Sequence, residues 1–158
     1  MLRIVSGGQT GAGREALDFA IQHEIPHGGW CPKGRLAEDG VISAHYRIEE
    51  TPSSEYAERT EWNVRDSDGT VVFSTGAVLK GGSLETVTVA EKHQKPVLHV
   101  SRDHDGAVAG EKLAKFIEEH RIQVLNVAGP RASEEPEVGE FVQRILGEVL
   151  TNGINSLA

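Results

Sequence analysis

The sequence predicts an α/β fold, a single-domain Rossmann-like three-layer sandwich with a mainly parallel central sheet and helices on both faces. Strand-like and helix-like segments alternate along most of the chain, which indicates a parallel sheet covered by helices. Three of the predicted strands also run into glycine-bearing turns, at Gly7-Gly8, Gly81-Gly82 and Gly129. Because ligands of such folds bind at the carboxyl ends of the strands, these turns predict one composite binding site.

The composition and net charge of the chain limit the classes of protein to which it can belong. A chain of 158 residues suits one domain over residues 1–158, able to bury roughly 70% of its unfolded surface. The net charge of −8 argues against nucleic-acid and anionic-membrane partners, which need a basic surface. The single cysteine, Cys31, excludes an internal disulfide framework, and no apolar run approaches the roughly 20 residues that span a bilayer. We therefore expect a cytoplasmic protein, and a homo-oligomer because acidic α/β domains of this size often associate.

The first element is an apolar strand at residues 2–5, followed by a glycine-rich turn and a helix with an apolar face from residue 16 onward. Glycine lets a backbone approach a ligand, and unpaired N–H groups in the first turn of a helix favour an anion. The pattern matches neither the dinucleotide fingerprint nor the Walker motif. It predicts either a tight turn without a ligand or a phosphate site, with contacts from Ser6, Gly7, Gly8, Gln9, Thr10, Gly11 and Arg14.

The next segment predicts a second strand at residues 25–30 and then about 30 residues, 31–61, without a sustained period. Such a long segment is usually functional or contains short hidden elements. Lys33 and Arg35 within it suit a phosphate, although the alternative is a solvated loop. Cys31 has no cysteine or histidine partner in sequence, and a lone cysteine is more often a small buried apolar residue.

The end of this segment leaves two interpretations open. Arg59 and Glu61 pair with each other, or Arg59 reaches an anion while Trp62 or Asn63 contacts a planar heterocycle. A turn at residues 66–69 follows, between residues 64–66 and a buried parallel strand at 70–74.

The second half of the chain continues the alternation of helix and strand. The patterns predict a helix at 84–93, a strand at 96–100, a helix at 110–120, a strand at 122–127 and a final helix at 138–150. Ser133 is the expected N-cap of the last helix and Gly153 its expected end.

Further candidate ligand contacts follow the later strands. Gly81, Gly82 and Ser83 form a second strand-to-helix turn, where the alternative is that Ser83 only caps the helix. Arg131 follows the fifth strand and adds a positive charge, or simply forms part of the turn before the last helix. The seven histidines show no metal-ligand spacing, so we predict no metal site. With no nucleophile motif or paired carboxylates, the composition favours a binding protein, and we predict no catalytic residue.

Collinear segments along nearly the whole chain resemble the molybdenum-carrier family, within the Rossmann-like superfamily of lysine-decarboxylase-like and DNA-processing proteins. The resemblance implies binding of the molybdenum cofactor (molybdopterin) or a related phosphorylated ligand, and a molybdoenzyme as the recipient. The family usually has an acidic residue where this chain has Gly13, which leaves the helix start less negative. The matching segments are residues 6–11, 28–35, 37–40, 50–51, 56, 59–64, 66–70, 81–83, 95–96 and 125–131.

Two other functions remain as alternatives. Residues 81–86 are similar to the phosphoribohydrolase signature PGGxGTxxE, but the proline is absent and Val89 stands where the acidic residue would fall. A nucleotide-processing hydrolase would need Glu61, Asp66 or Glu85 as a catalytic carboxylate with a raised pKa in the pocket. A ligand-sensing regulatory module would instead show an exposed apolar patch beside the pocket.

Overall fold

The computed structural model of the protein describes residues 2–151. Nine strands and six α-helices lie within these residues, and short 3₁₀ and π turns extend two of the helices. The elements are β1 Arg3–Val5, α1 Ala12–Gln22, β2 His27–Gly28, β3 Trp30–Cys31, β4 Leu36–Ala37, β5 Gly40–Val41, β6 Glu49–Glu50, α2 Tyr56–Arg65, β7 Gly69–Ser74, α3 Gly81–Lys92, β8 Val97–Ser101, α4 Arg102–Asp105, α5 Ala109–Glu119, β9 Val124–Ala128 and α6 Val138–Leu146.

Five of these strands form one parallel sheet in the order β2-β1-β9-β7-β8. If β9 were moved to the head of the chain, this order would become 3-2-1-4-5, the order of the Rossmann sheet. The chain is therefore a circular permutation of that order, with its last strand at the centre of the sheet. The parallel sheet and its helices confirm the predicted Rossmann-like α/β fold.

The helices cover the sheet from two sides. Helices α1, α5 and α6 pack together on one face, and α2 packs against α3 on the other. The main core lies under the first group, where the apolar stripe of α6 meets Phe19 of α1 and Phe73 of β7. Strand β7 is buried at all six positions, as its continuous apolar run predicts. The three-layer arrangement brings the carboxyl ends of β1, β9 and β7 to the same edge.

Residues 32–55 lie outside this sheet but are firmly held. Ile42 and Ile48 form a second, small core with Leu17 of α1 and Cys31. Arg35 adopts a positive φ of 55°, and its guanidinium donates hydrogen bonds to the carbonyls of four residues. These acceptors are Ile42, Ser43, Tyr46 and Ile48, at 2.7–3.1 Å. The prediction of hidden short elements in this segment is confirmed by β4, β5 and β6.

Several predicted boundaries are wrong. The strand expected at residues 25–30 is two short strands in different sheets, because Gly29, at φ 128°, bends the chain tightly over Ser6. Helix α2 was not predicted, since its apolar residues are too few to show a period, and it includes residues 64 and 65. Ser133 is not the N-cap of α6, which is Glu137; Ser133 instead hydrogen-bonds Glu38. The expected helix end at Gly153 lies outside the described residues.

None of the described helices is long and apolar enough to span a membrane.

Candidate functional site

The glycine-rich turn after β1 is held mainly by its own hydrogen bonds. Ser6 Oγ accepts a bond from the Gly8 N–H at 3.1 Å and donates one to the Gly13 carbonyl at 2.8 Å. In the first turn of α1, the Ala12 N–H donates to the Pro130 carbonyl and the Arg14 N–H to the Gln9 carbonyl. The prediction that the first-turn N–H groups of α1 are unpaired is therefore wrong for these two residues, because neighbouring carbonyls already satisfy them.

Three predicted contacts from this turn face the β4–β5 hairpin. Gln9 Oε1 accepts the Glu38 N–H at 2.9 Å, and Thr10 Oγ1 donates to the Glu38 carboxylate. Arg14 pairs with Asp39 at 2.5 Å and donates a second bond to the Gly8 carbonyl. The hydrogen bond to Asp39 raises the pKa of Arg14, so this charge is already neutralised within the protein.

The fold places the other candidate residues of the long segment in three different environments. The Arg35 guanidinium is occupied by the four carbonyls described above, so it stabilises the segment and is not free for an anion. Lys33 is exposed, with its N–H donating to the Ser53 carbonyl at 3.0 Å. Asn63 uses both ends of its amide on the backbone of Trp30, at 2.8 and 2.9 Å, which fastens α2 to β3.

Arg59 is the one predicted arginine that lies directly on the glycine-rich turn. Its guanidinium covers Gly7 so closely that a Cβ at this position would overlap Nη1. Nε is buried and has no hydrogen-bond partner within residues 2–151. Burial lowers the pKa of Arg59, and Glu61 pairs with His93 at 3.2 Å instead of with Arg59. An arginine without an acidic partner beside a glycine turn is suited to receive an anion.

A second arginine joins it around an aromatic ring. Tyr56, one helical turn before Arg59 on α2, has the Arg59 guanidinium 5.4 Å from its ring centroid and that of Arg131 at 5.2 Å. The ion pairs within residues 2–151 include neither arginine. Burial is the main cause of the lowered pKa of Arg59, and the like charge of Arg131 lowers it further. An anion between the two guanidinium groups would remove this repulsion.

A narrow crevice of about 20 Å³ opens beside Arg59 at the carboxyl ends of β1 and β9. Its size admits only a water-sized group while Arg59 covers Gly7. Thr86 of α3 reaches it, and the first turn of α3, with Gly81 and Gly82, is exposed and has no acidic residue. Ser83 is buried in this turn and is not the N-cap, which is Lys80. The lining residues are Gly7, Arg59, Thr60, Asn63, Thr86, Asn126, Val127 and Ala128.

The carboxylates that a hydrolase would need are absent from that lining. The hydrogen bond from Arg65 lowers the pKa of Asp66, and Glu85 is an exposed residue of α3. Burial raises the pKa of the fully buried Cys31, which packs as an apolar residue. Within the described residues, no group of three or more His, Cys, Asp or Glu side chains is arranged to hold a metal ion.

The structure adds residues that the sequence interpretation did not select. Tyr56 was not chosen, although its spacing of three residues from Arg59 places both on one face of a helix. Asn126 lines the crevice from β9, and its amide donates to Thr70 Oγ1 at 3.1 Å. Only the central place of β9, which the sequence does not show, brings this residue to the site.

The fold defines a Rossmann-like α/β protein, and its crevice lies at the carboxyl ends of the strands beside an arginine without an acidic partner among residues 2–151. Residues 4–150 match the model of the circularly permutated YpsA SLOG family, and the chain belongs to this family. The family match agrees with the permuted strand order described above.

One solved structure extends this comparison. The crystal structure of a protein called "putative molybdenum carrier protein", from Syntrophus aciditrophicus SB, is 50% identical to this chain. The alignment covers 95% of each chain with a TM-score of 0.88. These matches confirm the resemblance to molybdenum-carrier proteins. No curated protein matches the chain.

Proposed function

We propose that this protein is a molybdenum cofactor carrier that binds a phosphorylated heterocycle, of molybdopterin or nucleotide type, at the Arg59 crevice. The observation that supports this most directly is the Arg59 guanidinium, which lies on Gly7 without an acidic partner among residues 2–151. The name of the 50% identical relative supports the choice of cargo. A molybdoenzyme is the proposed recipient.

The site suggests how such a ligand would bind. A phosphoryl group over Gly7 needs the space that the Arg59 guanidinium fills, so the arginine would swing outward and pair with it. Arg131, whose guanidinium also lies over the Tyr56 ring, would pair with the same group. The Tyr56 ring, 37% exposed, provides a flat wall at the rim for a heterocycle that the crevice itself is too small to hold.

This arrangement favours binding over hydrolysis. The groups that reach the crevice are guanidinium, amide, hydroxyl and backbone groups, without a carboxylate among its lining residues. General acid–base cleavage needs a titratable group within hydrogen-bond reach of the substrate. We therefore propose a carrier that holds its ligand unchanged.

The first test is native mass spectrometry on protein purified gently from a host that makes molybdopterin, followed by release and identification of the ligand. We expect a pterin-containing mass on the wild type, reduced occupancy on Arg59→Gln, and wild-type occupancy on Arg121→Gln. Arg121 is an exposed control at the opposite end of the sheet, in the turn three positions before β9 begins.

Calorimetry with inorganic pyrophosphate tests the anion site without any heterocycle. One charge-assisted contact contributes about 1.5–3 kcal/mol, so Arg59→Gln should weaken pyrophosphate binding about 10- to 150-fold. Wild-type protein that carries no ligand and gives no heat with pyrophosphate would contradict the proposal.

A further inference from the structure

A larger cavity, of about 310 Å³, lies on the same side of the sheet as α2. Its volume is at the lower end of the range of small-molecule sites, about 300–1,000 Å³. The amino ends of β1 and β9 form its floor, where Arg3 and Val124 lie opposite each other in register. The lining residues are Arg3, Val5, Gly29, Trp30, Arg47, Glu49, Asn63, Asp66 and Val124.

Two arginines in this cavity have free charges. Neither Arg3 nor Arg47 belongs to an ion pair within residues 2–151. The Arg47 N–H donates to His27 Nε2 at 3.2 Å, which holds this ring nitrogen unprotonated. Burial lowers the pKa of His27, and the two arginines lower it further. Both arginines line the cavity, and no carboxylate is paired with their guanidinium groups in the described structure.

An indole and a carboxylate complete the cavity. Trp30 Nε1 donates to Asp66 at 2.9 Å, and the Trp62 ring packs edge-on against the indole with centroids 4.8 Å apart. Arg65 pairs with Asp66 at 2.8 Å, which neutralises that carboxylate. Glu49 belongs to no ion pair among residues 2–151 and remains a free acceptor.

This cavity is separate from the Arg59 crevice, although Asn63 borders both. The two bonds of the Asn63 amide to Trp30 make it a fixed partition. Arg3 and Arg47 line only the cavity, whereas Arg59 lines only the crevice. A ligand in one site therefore does not fill the other.

We propose that the cavity is a second binding site, and that its ligand is a planar heteroaromatic anion with ring N–H donors. The anionic group would pair with Arg3 and Arg47, the ring would pack on Trp30, and Glu49 would accept the N–H donors. A guanine nucleotide has all three features, because guanine N1–H and its 2-amino group donate side by side to one carboxylate. This proposal does not depend on the proposed function.

The two tryptophans of the chain provide a local signal, since Trp30 lines this cavity and Trp62 packs against Trp30. GMP is titrated into Arg59→Gln protein, in which the other site is weakened, and intrinsic fluorescence is recorded. We expect saturable quenching, with GMP bound about ten times more tightly than AMP, because adenine N1 is an acceptor that cannot donate to Glu49. Glu49→Gln should abolish this preference.

Variants of the two arginines decide whether the signal comes from the cavity. Arg47→Gln, and independently Arg3→Gln, should each weaken GMP binding about 10- to 150-fold in the Arg59→Gln background. Adding Arg121→Gln to the same background should leave GMP binding unchanged. In NMR, the His27 pKa should rise when GMP binds, because the bound phosphate offsets the two arginines.

Absence of quenching at millimolar GMP would overturn the proposal, as would full affinity in both arginine variants. Loss of pyrophosphate binding in Arg59→Gln with GMP binding retained would support two independent sites. If the wild type showed quenching by GMP and the Arg59→Gln substitution by itself abolished it, GMP would bind only at the Arg59 crevice. That result would contradict the second binding site.

Discussion

At the scale of single residues, the environment of each arginine determines its role. Arg14 is neutralised by Asp39, and Arg35 is bonded to backbone carbonyls. Arg59 and Arg131 instead contact the Tyr56 ring and have no ion pair within residues 2–151. The first two therefore stabilise the structure, and the last two are available to a ligand.

Arg35→Lys tests the structural role of that guanidinium. A lysine keeps the charge but cannot donate to four carbonyls at once, so some of these acceptors lose their partner. We expect the free energy of unfolding to fall by about 1–3 kcal/mol in urea denaturation. Lys33→Gln, an exposed neighbour, should change it by less than about 0.5 kcal/mol. Equal effects of the two substitutions would show that the carbonyl bonds contribute nothing.

Substitutions at two glycines of the turn after β1 should distinguish effects on stability from effects on ligand binding. Gly11 has φ 85°, and a Cβ there would overlap the Pro130 carbonyl, so Gly11→Ala should cost more than about 2 kcal/mol of stability. At Gly7 the added Cβ meets only the flexible end of Arg59. Gly7→Ala should therefore change stability by less than about 1 kcal/mol while weakening pyrophosphate binding. Urea denaturation and calorimetry measure the two effects, and unchanged pyrophosphate affinity in Gly7→Ala would contradict the proposed site.

At the scale of elements, the Glu38 carboxylate is one of the groups that join the β4–β5 hairpin to the glycine-rich turn. Glu38 accepts bonds from Thr10 Oγ1 and from both the N–H and the hydroxyl of Ser133, the latter at 2.5 Å. The bond from Ser133 is the largest of those that lower the pKa of Glu38. Three separate segments are thereby held together near the rim of the crevice.

Glu38→Ala should release the hairpin without unfolding the sheet. We expect amide hydrogen exchange to become several-fold faster at residues 7–11 and 36–41, because the hairpin loses its bonds to Thr10 and Ser133, and to stay unchanged in β7. Glu119→Ala, on the exposed surface of α5, is the matched control. Uniform acceleration across the protein would instead indicate global destabilisation.

At the scale of the whole molecule, the titrating groups with lowered pKa values predict loss of stability in acid. Burial is the main cause for His27 and His99, whose ordinary pKa is 6.5. The folded protein favours the neutral rings. Their contribution to the free energy of unfolding is therefore complete above pH 6.5 and is lost as the pH falls through the pKa values of the folded state. The hydrogen bond from Arg14 similarly lowers the pKa of Asp39 from 3.8, which adds a loss below about pH 4.

We therefore expect the free energy of unfolding to be constant between pH 8 and 7 and to fall below pH 6.5. Urea denaturation at half-unit steps from pH 8 to 4 measures this free energy. His99→Gln should reduce the slope between pH 6.5 and 5, because it removes one of the two rings whose pKa is lowered by burial. A rise in stability between pH 7 and 5.5 would contradict the sign of this prediction.

The sequence by itself determined the fold class, most of the helices and main strands, and the glycine turns after β1 and β9, whereas Gly81 and Gly82 begin helix α3 and do not follow a strand directly. These features depend on local periodicity and on backbone conformations that few residues adopt. It also contained the resemblance that the family match confirmed. Helix α2 was missed because its polar composition has no clear period.

Only the tertiary structure decided which arginines are free. Arg14 meets Asp39 twenty-five positions away, and Arg35 bonds carbonyls up to thirteen positions away, so no local pattern distinguishes them from Arg59. The central place of β9 was likewise decided by packing, because strand order depends on contacts between segments far apart in the chain. The charge available to a ligand is what remains after these long-range contacts have formed.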